Sequence, residues 1–192
     1  CQSPVATPPT GGNSGTAALL TYPTSQTFQL NSKAGLSRVI YLDFNGHTTS
    51  GTQWNTSYTT GAAITTPAYD IDGIPGSFST AELANIQEIW KRVSEDFSIF
   101  DVNVTTKDPG IEGLRRLTVG DLNYGIRVVI GPNTWYSNAG GVAYLGSFSW
   151  NSDTPAFVFS TGVSNVGKWM GDAAAHEVAV DAREERRHLA VE

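Results

Sequence analysis

Ser79-Thr80-Ala81-Glu82-Leu83-Ala84-Asn85-Ile86-Gln87-Glu88-Ile89-Trp90-Lys91-Arg92-Val93-Ser94-Glu95-Asp96-Phe97 is the stretch on which the fold turns. Ser79 and Glu82 have the S-x-x-E spacing of a capping box, in which each side chain satisfies a backbone N–H at the open end of a helix. Leu83, Ile86, Trp90, Val93 and Phe97 then recur at steps of three or four, the period of one apolar helical stripe. Glu82, Asn85, Glu88, Arg92 and Glu95 fall on the other faces. The spacing predicts a helix over Thr80 to Phe97 that lies with one side on a core.

What flanks this helix predicts the core. Before it, Ser37 to Phe44 is β-branched and aromatic and closes on Asn45-Gly46, a turn pair. After it, Val102 to Thr106 alternates apolar and polar. Ile126 to Ile130 has no polar residue except Arg127, the pattern of a strand covered on both faces. Val142 to Phe148 and Ala156 to Phe159 complete the strands. A second helix is expected to begin near Asn165 and to run through Trp169, Ala173 and His176. Gly167 and Gly171 within it cost about 1 kcal/mol each in helix propensity, which implies close packing on a neighbour. Gly51 to Gly76, polar and aromatic with Pro67 and Pro75, reads as a long excursion outside the core. The order of elements predicts an α/β fold, one sheet backed by helices.

Composition bounds the function. Of 192 residues, 12 are Lys or Arg and 18 are Asp or Glu, and seven of those charges crowd into Asp181 to Glu192. Nothing before Lys33 is charged. A body so poor in charge and rich in Thr, Ser, Gly, Asn and Trp has the character of an exported protein. The net charge of −6, with no basic cluster outside the tail, argues against nucleic-acid binding. No run of 18 apolar residues offers a membrane span. The single cysteine, Cys1, excludes an internal disulfide and a Cys-based structural zinc site. Cys1-Gln2-Ser3 leads into a Pro/Thr/Gly/Ser stretch that reads as a tether over residues 1–27. Such a start resembles a processed bacterial lipoprotein, whose N-terminal Cys carries the acyl anchor; the expected location is secreted or at the cell envelope. The domain proper is expected over residues 28–180, and residues 181–192 form an atypical charged tail.

The chemistry-bearing motif is His176-Glu177, in Gly171-Asp172-Ala173-Ala174-Ala175-His176-Glu177-Val178. A helical His-Glu pair is the first half of the H-E-x-x-H zinc motif, whose second His stands one turn on so that both imidazoles reach one ion and the Glu reaches its water. Further stretches accompany it: Tyr41-Leu42-Asp43-Phe44-Asn45-Gly46-His47, Val93-Ser94-Glu95-Asp96-Phe97 with Phe100-Asp101-Val102-Asn103-Val104, and Gly140-Gly141-Val142-Ala143-Tyr144. With these, Arg38 to Val178, about three quarters of the chain, resembles the reprolysin-like bacterial secreted group of metzincin zinc metallopeptidases. The resemblance implies the upper catalytic subdomain of that fold, a mixed, mainly parallel sheet with an antiparallel edge strand, packed on the long helix and the zinc-site helix. It implies His176 as the first zinc ligand and Glu177 as the base that activates water. Gly141, Val142, Ala143 and Tyr144, in the edge stretch Gly140 to Phe148, would bind a peptide or protein substrate by strand addition.

The sequence departs from that family's H-E-x-x-H-x-x-G-x-x-H. Val180 stands where the second ligand belongs, Arg183 where the turn glycine belongs and Arg186 where the third ligand belongs. The only Met, Met170, precedes the motif. His188 follows His176 by twelve residues, about 18 Å along a continuous helix, whereas ligands of one zinc lie about 2.1 Å from the same ion. Ala182 to Arg187 holds no Gly or Pro to turn the chain back. The expectation is a metallopeptidase-like domain, its C-terminal end lost or replaced after Val178, that does not cut and whose zinc binding is doubtful. His47 is expected in a surface or supporting place, and Asp70 and Asp72 in a turn rather than a calcium loop. Trp90 and Trp169 are expected in the core. Trp54, Trp135 and Trp150, in polar loops, define the rival expectation of a secreted carbohydrate- or surface-binding module without catalysis.

Overall fold

The computed structural model describes residues 21–189, with side chains described as far as residue 179. Cys1 and the greater part of the stretch read as a tether lie outside the described residues, as do the end of the charged tail and the side chain of His188. Seven strands and three α-helices follow one another in the described chain: β1 (Arg38–Asp43), β2 (His47–Thr49), α1 (Gln53–Tyr58), β3 (Ile64–Thr66), α2 (Thr80–Asp96), β4 (Asn103–Thr105), β5 (Tyr124–Gly131), β6 (Gly141–Val142), β7 (Ala156–Phe159) and α3 (Gly167–Leu189).

Five of the strands make one sheet in the order β4-β1-β5-β7-β6. β1 pairs in parallel with β4 and β5, and β5 in parallel with β7; only β6 runs antiparallel, Gly141 opposite Val158 and Val142 opposite Phe157. The expected mixed α/β architecture, mainly parallel with an antiparallel edge strand, is therefore present. β5 is buried along its whole length, as its continuous apolar run predicts.

Because side chains alternate across a sheet, β1 and β5 serve two cores. Ile40, Leu42, Ile126, Val128 and Ile130 face α2 and α3, meeting Ile86, Ile89, Val93, Met170, Ala174 and Val178. Val39 and Tyr41, on the other face, pack on Leu114, while Val129, Phe157 and Phe159 meet Trp54 and Ile64.

The capping box opens α2 as its sequence predicts. Ser79 Oγ accepts from Glu82 N–H, and Glu82 Oε2 accepts from Ser79 N–H at 2.7 Å. Glu82 is nevertheless not on a solvent face: it is fully buried, and its Oε1 accepts from Ile71 N–H at 2.8 Å. Gln87, also buried, holds the incoming chain. Its Oε1 accepts from Thr21 and Tyr22 N–H, and its Nε2 donates to Tyr22 O and Thr27 Oγ1. Thr21 to Thr27, at the end of the stretch read as a tether, thus pack against α2, with Tyr22 edge-on to Trp90 at 5.6 Å.

Two expectations about the polar segments are corrected. Gly51 to Gly76 is not outside the core: it contains α1 and β3, β3 pairs with β2, and Trp54, Ile64 and Tyr69 are buried. Trp54 Nε1 donates to Pro155 O at 2.7 Å, which ties α1 to the start of β7. Val142 to Phe148 is not one strand either. The chain leaves β6 after Val142 and turns at Gly146, whose φ of +79° suits glycine, into a single 3-10 turn over Ser147–Ser149. Trp90 is buried as expected, but Trp169 is half-exposed on α3.

Candidate functional site

Two left-handed residues, Ser164 and Asn165, swing the chain from β7 into α3. The helix is then fixed by a stripe at four-residue steps, Met170, Ala174 and Val178, all fully buried. Gly171 faces Arg92 of α2 so closely that a Cβ there would stand 3.1 Å from its side-chain carbons. The close approach expected of a helical glycine is real at this position. Gly167 has more room, its nearest neighbours lying at 3.6 Å.

With the helix so held, His176 and Glu177 point about 100° apart around its axis. His176 is exposed. Glu177 is half-buried and lies against the edge strand, where a Cβ on Gly141 would stand 2.8 Å from Glu177 Oε1 and 2.9 Å from Phe157 O. The missing side chain at Gly141 is what lets the carboxylate rest on the strand. Burial pushes the Glu177 carboxyl above its ordinary value of 4.5, and the neighbouring His176 offsets this in part.

Of the four residues expected to meet a peptide, Gly141 and Val142 are on β6 and Ala143 and Tyr144 lie beyond it. Ala143 packs at the margin of the helix-side core. The Tyr144 ring lies 4.1 Å from that of Trp54, and Val142 joins the same aromatic group. Trp54 is 1% exposed and Trp135 is enclosed by the rings of Trp54, Tyr58, Tyr136 and Phe157. Trp54 lies within a core and Trp135 packs half-buried against it, so Trp54 presents no face on which a sugar could stack.

The residues on α3 do not fit a catalytic zinc centre. α3 continues as one helix to Leu189, so the chain does not turn after the His-Glu pair to bring a later ligand back. His188 lies twelve helical residues beyond His176, as the unbroken sequence between them predicts. Among the described residues, His176 belongs to no group of three or more ligands within reach of one ion. Asp70, Asp72 and Glu82 do form such a group, and one oxygen of each aspartate and both oxygens of Glu82 accept hydrogen bonds. Asp70 Oδ1 accepts from Asp72 and Gly73 N–H, Asp72 Oδ1 accepts from Ile74 N–H, and Glu82 caps α2. This is the turn that the Asp-Ile-Asp-Gly spacing predicts.

A buried charge network was not singled out from the sequence. Arg127 donates through Nη1 to Asp43 Oδ2 at 2.6 Å and through Nε to Asp153 Oδ2 at 3.0 Å, with Nη2 2.9 Å from the same oxygen. Its guanidinium stands 5.1 Å from the Tyr41 ring centre. His47 Nδ1 lies 3.9 Å from Asp43 Oδ2. Burial, reinforced by Arg127, pushes the His47 imidazole below its ordinary 6.5, so at neutral pH it is uncharged and this contact is not an ion pair. The available signal was the lone Arg in an otherwise apolar strand: a cation buried there requires anions beside it.

Comparison with protein-family models gave no match, and neither did comparison with curated proteins or with solved structures. No helix among the described residues is long and apolar enough to cross a membrane.

Proposed function

We propose that this chain is a zinc-metallopeptidase-like domain of the metzincin type, exported from the cytoplasm, that can receive an extended peptide at its edge strand but does not hydrolyse it. One observation carries the reading: α3 lays the Glu177 carboxylate on Gly141 of the antiparallel edge strand, with His176 next to it on the same helix. A peptide adding to β6 would pair with the backbone of Gly141 and Val142 and pass alongside a carboxylate held above its ordinary pKa. In an intact site of this type, zinc polarises the scissile carbonyl and activates the attacking water. Here the ligand set for that ion is missing, and Glu177 has no metal-bound water to deprotonate.

Zinc titration of the purified chain, paired with a peptide-hydrolysis assay, tests this. The expected result is neither stoichiometric tight binding nor cleavage. Tight one-to-one zinc binding, with cleavage that disappears in Glu177→Gln, would overturn the inactive reading. Loss of peptide binding in Gly141→Val, which crowds both Glu177 and the strand, is expected if the edge strand is the docking element.

A further inference from the structure

Between the last turn of α2, the middle of α3 and the N-terminal ends of β1 and β4 lies an open cavity of about 520 Å³. Ile40, Phe97, Phe100, Val102, Phe148 and Val178 supply its apolar wall. That volume is in the range of small-molecule sites, which combine apolar walls with a few polar groups. Among the described residues that line the cavity, three carboxylates outnumber one guanidinium. Asp96, Asp101 and Asp172 stand on the rim, all exposed, and no described Lys, Arg or His forms an ion pair with any of them. Arg38 also lines the cavity, but its Nε donates to Tyr124 OH at 3.2 Å and its guanidinium stands 5.7 Å from that ring centre. His176 is the remaining titratable group at the rim.

The placement of Asp96 works against the fold. It ends α2, where the helix dipole is negative, and that last turn holds no basic residue; the cation at this end is Lys33, whose Nζ donates to Ser98 O and Phe100 O just beyond the helix. Glu82, at the other end of the same helix, is buried and accepts three hydrogen bonds. Glu82 thus builds structure, whereas Asp96 adds negative potential at the mouth of an apolar cavity.

We infer that this cavity binds a cationic amphiphile: an aliphatic or aromatic body seated between α2 and α3, with its ammonium group among Asp96, Asp101 and Asp172. The site is separate from the edge strand, and Glu177, which faces β6, takes no part in it.

The test uses the neutral fluorescent probe N-phenyl-1-naphthylamine on the full chain, displaced by dodecylamine or by dodecanoate below their micellar concentrations. Dodecylamine is expected to displace the probe at about ten-fold lower concentration, the combined worth of a few exposed charge contacts. The variant Asp96→Asn/Asp101→Asn/Asp172→Asn, altered only at exposed positions, should keep the probe and lose the preference. Ala175→Phe with Ala179→Phe, which fills the cavity, should lose the probe while circular dichroism reports an intact helix content. Glu177→Gln should change neither result. Equal displacement by the two amphiphiles, a preference that survives in the triple variant, or undiminished probe binding in the filled one would each overturn the inference.

Discussion

The two faces of the sheet treat charge in opposite ways. On the face away from α2 and α3, Arg127, Asp43 and Asp153 are sunk below the surface and matched to one another, with His47 kept neutral beside them. On the helix-covered face, Asp96, Asp101 and Asp172 stand around an open apolar cavity with no cation paired to them among the described residues. Charge that is buried and matched by opposite charge serves the fold. Charge left unmatched beside an apolar wall is available to something else.

The sharpest way to break this contrast is to remove one member of the buried set. Asp43→Ala leaves the Arg127 guanidinium, buried to within a tenth of its surface, without one of its two carboxylate partners. The expected loss is about 3–5 kcal/mol, read from urea unfolding. A loss below 1 kcal/mol, the level of a surface pair, would show that the network is wetter than its geometry.

His47 gives a smaller effect with a definite sign. Its folded pKa lies below the ordinary 6.5, so as pH falls through 6.5 the unfolded chain takes up a proton that the folded chain does not. Stability attributable to this group is therefore complete above that value and declines below it. Unfolding compared at about pH 7.5 and about pH 5.5 should show a smaller acid-side loss in His47→Gln than in the parent chain. An identical loss in both would remove His47 from the pH response.

The smallest change is expected from Asp96→Asn. It removes a charge at the wrong end of the α2 dipole and breaks no described contact, so stability should hold or rise by a few tenths of a kcal/mol. A marked destabilisation would mean that the rim is structural after all, and the two faces would no longer differ in kind.

How far the sequence could be read follows the same physics. α2 was legible to within a residue because cap and apolar period coincide there, and β5 and β7 because buried parallel strands appear as apolar runs, interrupted in β5 only by Arg127. α1 and β3 were not, since each buries one apolar residue, Trp54 or Ile64, beside a polar one, Asn55 or Thr66, and so shows no apolar period. Val142 to Phe148 misled because it opens with an apolar run, Val142 to Leu145, that reads as a strand, while Gly146 bends the backbone away. At the site, the His176-Glu177 pair and the missing ligands after it were legible. The contact of Glu177 with Gly141 was not, because it joins residues more than thirty positions apart. The cavity is assembled from four separate stretches of chain, and no sequence pattern shows that they meet.

The Gln87 clamp has a mechanical consequence. Thr21 and Tyr22 are held by one buried side chain on the middle of α2. A pull on whatever precedes Thr21 is therefore borne first by a helix seated on the core, through four hydrogen bonds of one amide. The load reaches no strand end directly, so the sheet is not unzipped from its edge. Tension applied at that end of the chain would act on the part of the domain best able to resist it, leaving β6 undisturbed.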